Sequence, residues 1–155
     1  MKKSAGILVY KKDNNKVKVF LSHLGGPYWE NKKVHCWSIP KGEQEEKEEI
    51  IETAKREFKE ETSLEVNTEL KLLGSTKVSS NKLVTIFYTS QELDAASAKS
   101  NYFELEWPPH SGIINKYPEM DKAEWIDLND AKELILENQI YFLEKLESIL
   151  KEDML

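Results

Sequence analysis

Gly42-Glu-Gln-Glu-Glu-Lys-Glu-Glu-Ile-Ile-Glu-Thr-Ala-Lys-Arg-Glu-Phe-Lys-Glu-Glu-Thr-Ser-Leu64 holds the densest group of carboxylates in the chain. No Gly or Pro interrupts Glu46 to Thr62, and Ile50, Ile51, Ala54 and Phe58 recur at three- and four-residue steps. That spacing predicts an amphipathic helix over about 46–62. With Ala54 at zero on a wheel of about 100° per residue, Ile51 and Phe58 fall near +60° and +40°, and Ile50 near −40°. Glu57 then falls near −60°, Glu60 near −120° and Glu61 near −20°. Glu61 therefore lies inside the apolar arc.

Solubility alone would place acids opposite the buried stripe, because a desolvated, unpaired carboxylate costs several kcal/mol. Three acids on about 100° of one helix, one of them facing inward, call for a cation between them. All-oxygen ligands suit a hard divalent ion such as Mg²⁺ (or Mn²⁺), which keeps water and phosphate oxygens in its remaining positions. For Glu43, Glu45, Glu46, Glu49 and Glu52 a solvated helix face is the plainer account. Arg56 is the sole arginine in a chain otherwise supplied with lysine. Its rigid fork holds a carboxylate bidentately, as lysine cannot, and Glu60 and Glu48 lie within reach.

Gly42, Glu48, Arg56-Glu57, Phe58, Glu60-Glu61 and Leu64, at this spacing, resemble the Nudix box, with Ser63 where the family has glycine. The resemblance implies an α+β fold, the Nudix-type α/β/α sandwich with a mixed β-sheet. It also implies that the Gly42 main-chain carbonyl and Glu57, Glu60 and Glu61 hold the metal, and that Arg56 orients a carboxylate. A further metal-binding or base-like glutamate is expected from a loop before a late strand containing a tryptophan. Glu119, six residues before Trp125, is similar to that arrangement, with Glu104, Glu106 and Glu124 as rivals. Ser63 bears on the last helical turn, since serine in a left-handed cap is strained by about a kcal/mol.

The chain of 155 residues fits a single Nudix hydrolase domain spanning 1–155, without linker or repeat. Its formal net charge of −6 argues against non-specific nucleic-acid binding. Its single cysteine, Cys36, forms no internal disulfide, and nothing in the sequence supplies it with a base. The apolar run Ile7 to Tyr10 is too short for a signal-peptide core or a membrane span, so a soluble cytoplasmic protein without membrane partners is expected. His23, His35 and His110 show no metal-ligand spacing.

In chain order, strands are expected over 4–10 and 17–24, then an aromatic loop with Tyr28 and Trp29, either of which offers a face for a nucleobase. A short strand over 34–39 delivers Lys41 and Gly42 to the carboxylate segment, and Lys41 is placed to meet a phosphate as a mobile point charge. Further strands are read over 64–70, 72–78 and 82–90, with Lys82 a second candidate phosphate contact, and a loop over 94–100. A strand over 102–107, an irregular stretch over 110–118 and a strand over 123–128 follow. A helix over 131–137, capped by Asn129 or Asp130, and another over 140–150 complete the chain.

The reaction implied is attack by water on a phosphorus of a diphosphate linkage in a nucleoside diphosphate derivative. Trp37-Ser38-Ile39-Pro40-Lys41-Gly42 looks more like the family's nucleoside-triphosphate and dinucleoside-polyphosphate hydrolases, of the diadenosine tetraphosphate kind, than its sugar-nucleotide members. The small-molecule nucleotide would instead be only bound if the domain served as a sensor or scaffold. The intact acids disfavour that reading, and the residues leave the general base and oligomeric state open.

Overall fold

The computed structural model describes residues 1–153. Two long strands, β1 (Lys2–Asp13) and β2 (Lys16–Leu24), pair antiparallel across a tight turn. Asn14 and Asn15 carry its two positive φ angles, 52° and 68°, a conformation that asparagine tolerates better than most residues. β6 (Lys82–Ser90) runs parallel to β1, and β5 (Lys71–Ser79) pairs antiparallel with β6, so the sheet is mixed. β3 (Trp37–Ser38) and β9 (Met120–Asp127) pair with β2, while β4 (Lys41–Glu43) pairs with β1, making this sheet seven-stranded among the described residues. A separate hairpin, β7 (Tyr102–Glu106) with β8 (Ile114–Pro118), stands beside this sheet.

Helices cover both faces. Strand alternation sends Ile7 and Val9 of β1 to one side, where Ala54 and Phe58 of α1 (Ile50–Thr62) meet them, and the Phe58 ring lies 5.6 Å from that of Phe20. Leu8 faces the other way. It joins Ala131 of α2 (Leu128–Leu134) and Phe142, Leu143 and Leu146 of α3 (Ile140–Asp153). This is the expected α/β/α sandwich on a mixed sheet. No described helix is long and apolar enough to cross a membrane.

Several boundaries differ from expectation, each for a local reason. α1 starts at Ile50, four residues later than 46, because Lys47 adopts φ 65° and Glu48 N–H closes a turn onto Glu45 O. Residues 64–70 form no strand. Leu64, Val66 and Leu70 still pack onto the α1-side core, but Asn67 N–H and Glu65 C=O bond the Gln91 side chain instead of a ladder. Of 34–39 only Trp37 and Ser38 pair, because His35 turns the chain at φ 53°. The stretch 110–118 is not irregular throughout: its second half is β8, whose Ile114, Asn115 and Lys116 are exposed and so show no burial period. α2 begins at Leu128 and ends at Leu134, ahead of 131–137, with Asp127 at its N-cap in place of Asn129 or Asp130.

Candidate active site

The inward placement of Glu61 is realised in a specific way. Ala54 and Phe58 anchor α1 over β1 and β2, which carries Glu61 against β2 with 8% of its surface exposed. Glu61 Oε1 accepts from Ser22 Oγ at 3.1 Å, and Oε2 accepts from the backbone N–H of Lys41 at 3.1 Å. Ser22 has one hydroxyl proton and a second acceptor in range, Ser38 O at 3.2 Å. The carboxylate thus has one firm donor and one shared donor, and burial pushes its pKa up to about 7.

Arg56 organises the exposed side of the same helix. Its Nε and Nη2 grip Glu48 Oε2 and Oε1 at 2.7 and 3.0 Å, in the bidentate mode the sequence suggested. Nη1 donates to Glu57 at 2.8 Å and to Glu60 at 3.1 Å, and Nη2 also caps Glu43 O at 2.9 Å. Glu48 additionally accepts from Thr53 Oγ1 at 2.6 Å, and with the Arg56 bonds this holds its carboxyl down to about 2. Glu57 moves the other way: burial raises it despite Arg56, and Glu60 and Glu119 add to the rise. A Cβ at position 42 would collide with the Glu57 carboxyl, so glycine is what lets this acid lie against the β4 backbone.

Glu119 sits between β8 and β9, with its N–H on Asn101 O and its C=O accepting from Gly25 N–H, each at 3.0 Å. Its side chain and Glu61 line one cleft of about 270 Å³, together with Lys41, Trp29 and Phe103. Burial raises the Glu119 pKa, with the Glu60 charge adding to it. The rival acids lie elsewhere: Glu104, Glu106 and Glu124 are exposed, and Glu106 accepts from His110 N–H at 2.8 Å.

The remaining predicted residues divide. Lys41 lines the cleft and also a second cavity of about 50 Å³ shared with Lys82 and Asn138. Burial, then the Lys82 charge, lowers its pKa below the usual lysine range. Trp29 contributes to the cleft wall. Tyr28 does not; it is 55% exposed, with its ring edge-on to Trp29 and the Lys32 ammonium 4.5 Å from its centroid. Cys36 is buried, and burial pushes its thiol pKa up, which leaves it a core residue. His23 pairs with Asp121 at 2.9 Å and His35 with Ile135 O at 2.8 Å. Two residues of the site were not read from the sequence, Phe103 in the cleft wall and Ser22 behind it. Phe103 alternates as the inner residue of a predicted strand, a signal that was available, whereas nothing local marks Ser22 as the partner of Glu61.

Glu57 and Glu60 turn toward Arg56 while Glu61 turns toward Ser22, so among the described residues no three acidic, imidazole or thiol groups converge on one point. The donor set nevertheless fits a hard divalent ion. Its side chains are all carboxylates, three of the four have raised pKa values, and Arg56 is already shared with Glu48.

A model of the NUDIX domain matches residues 2–146. A protein named RNA pyrophosphohydrolase from Pelagibacter ubique (strain HTCC1062) is 27% identical over 161 residues, covering 98% of this chain and 92% of that protein. Among solved structures, a binary complex of a C. elegans Ap4A hydrolase aligns with TM-score 0.67 at 21% identity, covering 98% of this chain and 99% of that one. The NUDIX domain of Shewanella oneidensis NrtR, complexed with ADP ribose, aligns with TM-score 0.67 at 13% identity, covering 96% and 87%. An acid-bearing helix laid over a mixed sheet, matched along nearly the whole chain, defines the class: the chain belongs to the Nudix family.

Proposed function

We propose that this Nudix enzyme, a pyrophosphohydrolase by class, cleaves a diphosphate linkage in a nucleoside triphosphate or dinucleoside polyphosphate with the help of Mg²⁺ or Mn²⁺. One observation carries the reading: Glu61 is buried in the cleft it shares with Glu119, its pKa pushed up to about 7 by burial, and Lys41 is the one lysine or arginine among the described residues lining that cleft against the two acids. A divalent cation between these walls would supply further positive charge and receive the phosphates. Glu57, Glu60 and Glu61, the Gly42 carbonyl and Glu119 are the groups that would hold it.

When bound, the ion would offset charge on the phosphate oxygens and make the attacking water more acidic. The chain's own residues do the rest. Water attacks phosphorus, the bridging P–O bond breaks, and a glutamate of this set takes the water's proton. Arg56 keeps Glu57 and Glu60 oriented and spaced. Lys41 presents an ammonium at the cleft, with Lys82 in the adjoining cavity, and both attract phosphoryl oxygens. Trp29 offers an aromatic face on which a base stacks. The names of the relatives favour phosphoric anhydrides of nucleotides, and the substrate preference follows the Lys41 and Lys82 arrangement. A cytoplasmic location suits such a substrate.

Release of phosphate or nucleoside monophosphate would be followed across nucleoside triphosphates, diadenosine tetraphosphate, ADP-ribose and 5′-triphosphorylated RNA, with and without Mg²⁺. Metal-dependent turnover of the first two supports the reading. Binding of all four without turnover would leave the fold a nucleotide sensor or scaffold.

A further inference from the structure

Ser63 stands where the Nudix box has glycine, and its backbone is left-handed, with φ 63° and ψ 11°. A side chain in that conformation is strained, so its hydroxyl is the place to look for a compensating interaction. Ser63 Oγ donates to Lys99 O at 2.6 Å, and Lys99 N–H returns a bond to Thr62 O at 2.9 Å. Both backbone polar groups of Lys99 are therefore clasped by the end of α1. The next two residues hold the far wall of the cleft: Met120 N–H donates to Ser100 Oγ at 3.0 Å, and Glu119 N–H donates to Asn101 O at 3.0 Å.

We propose that Ser63 is a positioning residue, which through Lys99, Ser100 and Asn101 fixes the backbone of Glu119 relative to the acids of α1. Glycine would relieve the strain but remove the hydroxyl bond to Lys99 O, leaving only the Lys99 N–H bond to Thr62 O. Alanine would keep the strain and lose the same hydroxyl bond. Asparagine tolerates the left-handed region and carries an amide that donates to the same carbonyl. The inference rests on the place given to Glu119 in the proposed function.

Ser63→Gly, Ser63→Ala and Ser63→Asn would be compared by steady-state kinetics and by backbone amide exchange of the protein without metal or nucleotide. Ser63→Gly is expected to fold, to lose about tenfold in kcat with KM unchanged, and to add nothing to the loss already caused by Glu119→Gln. Ser63→Asn should restore most of the rate. Amides of Glu119 and Met120 should exchange faster in Ser63→Gly, while those of Ile7 to Val9 in β1 stay protected. A wild-type kcat in Ser63→Gly, an undiminished loss in the Glu119→Gln background, or unchanged exchange at Glu119 and Met120 would overturn the proposal. If Glu119→Gln alone kept the wild-type rate, the role of Glu119 in the reaction would fall, and the exchange measurement would still decide whether Ser63 holds its backbone.

Discussion

Two glutamates, one just before α1 and one in its last turn, show how position sets the behaviour of a single residue type. Glu61 is buried with two backbone or hydroxyl donors, whereas Glu48 is locked onto a guanidinium. Glu61→Gln can keep the hydrogen-bond pattern: its carbonyl oxygen accepts from Lys41 N–H, and its amide donates to Ser22 Oγ, which still donates to Ser38 O. This variant should lose activity by about three orders of magnitude, on the scale of deleting one central charged group from a site. Its melting temperature without metal should be unchanged or higher, because a buried charge has gone. A parallel collapse of fold and rate would assign Glu61 a structural role. Glu48 behaves oppositely with pH. Its carboxyl titrates near 4.5 when unfolded and near 2 when folded, so the native state holds the charge that the unfolded chain has already neutralised. The pair's contribution is complete above about pH 4.5 and disappears as pH falls through about 2. Urea unfolding of wild type and Glu48→Gln should therefore show a stability gap at pH 6 that closes at the acid end. At this scale the inward turn of Glu61 and the pairing of Arg56 with Glu60 were legible from helical geometry. Glu48 was also named, but it lies before α1, and the Glu57 and Glu43 contacts of Arg56 were not read. Ser22 was not, because a contact across 39 residues leaves no periodic trace.

At the scale of elements, α1 owes its place to its apolar stripe, and the carboxylates inherit their geometry from it. Phe58 is 1% exposed and packs on Phe20, so Phe58→Ala should destabilise the protein by about 3–5 kcal/mol, measured by denaturant unfolding. Gly42→Ala tests a different link. The added methyl would drive the Glu57 carboxyl off the β4 backbone, so activity should fall at least tenfold for a smaller change in stability. Equal activity in Gly42→Ala would mean that Glu57 has no need of its present seat. Long strands with clear alternation, such as β1, β2 and β6, were legible because both periodicity and length mark them. Residues 64–70 misled for a physical reason: alternating apolar residues report burial, and here burial is achieved without ladder bonds. β8 was missed for the converse reason, having ladder bonds without burial.

At the scale of the whole molecule, both faces of the sheet are closed by helices, and the cleft draws its residues from β2 and the loop after it, β3, β4, α1, β7 and the β8–β9 junction. The layered architecture was readable from the Nudix box and the strand pattern; the convergence of Glu119 on Glu61 needed the three-dimensional arrangement. A cation received between those walls would bind only the native state, so Mg²⁺ at a hundred times its dissociation constant would add about 2.7 kcal/mol. For a chain of this length that corresponds to a rise in Tm of about 5–10 °C, and the rise should be small in Glu61→Gln. An identical Tm with and without the ion, at millimolar concentration, would contradict the metal assignment.

The pairing of β2 with β9 brings residues 18–24 beside 120–127, so the two walls of the cleft meet only when a loop of roughly a hundred residues has closed. Such distant contacts are slow to form, whereas α1 can appear from local interactions within microseconds. During refolding from denaturant, ellipticity should therefore recover ahead of catalysis. A variant that weakens the β2–β9 seam should slow the return of turnover more than the return of helix.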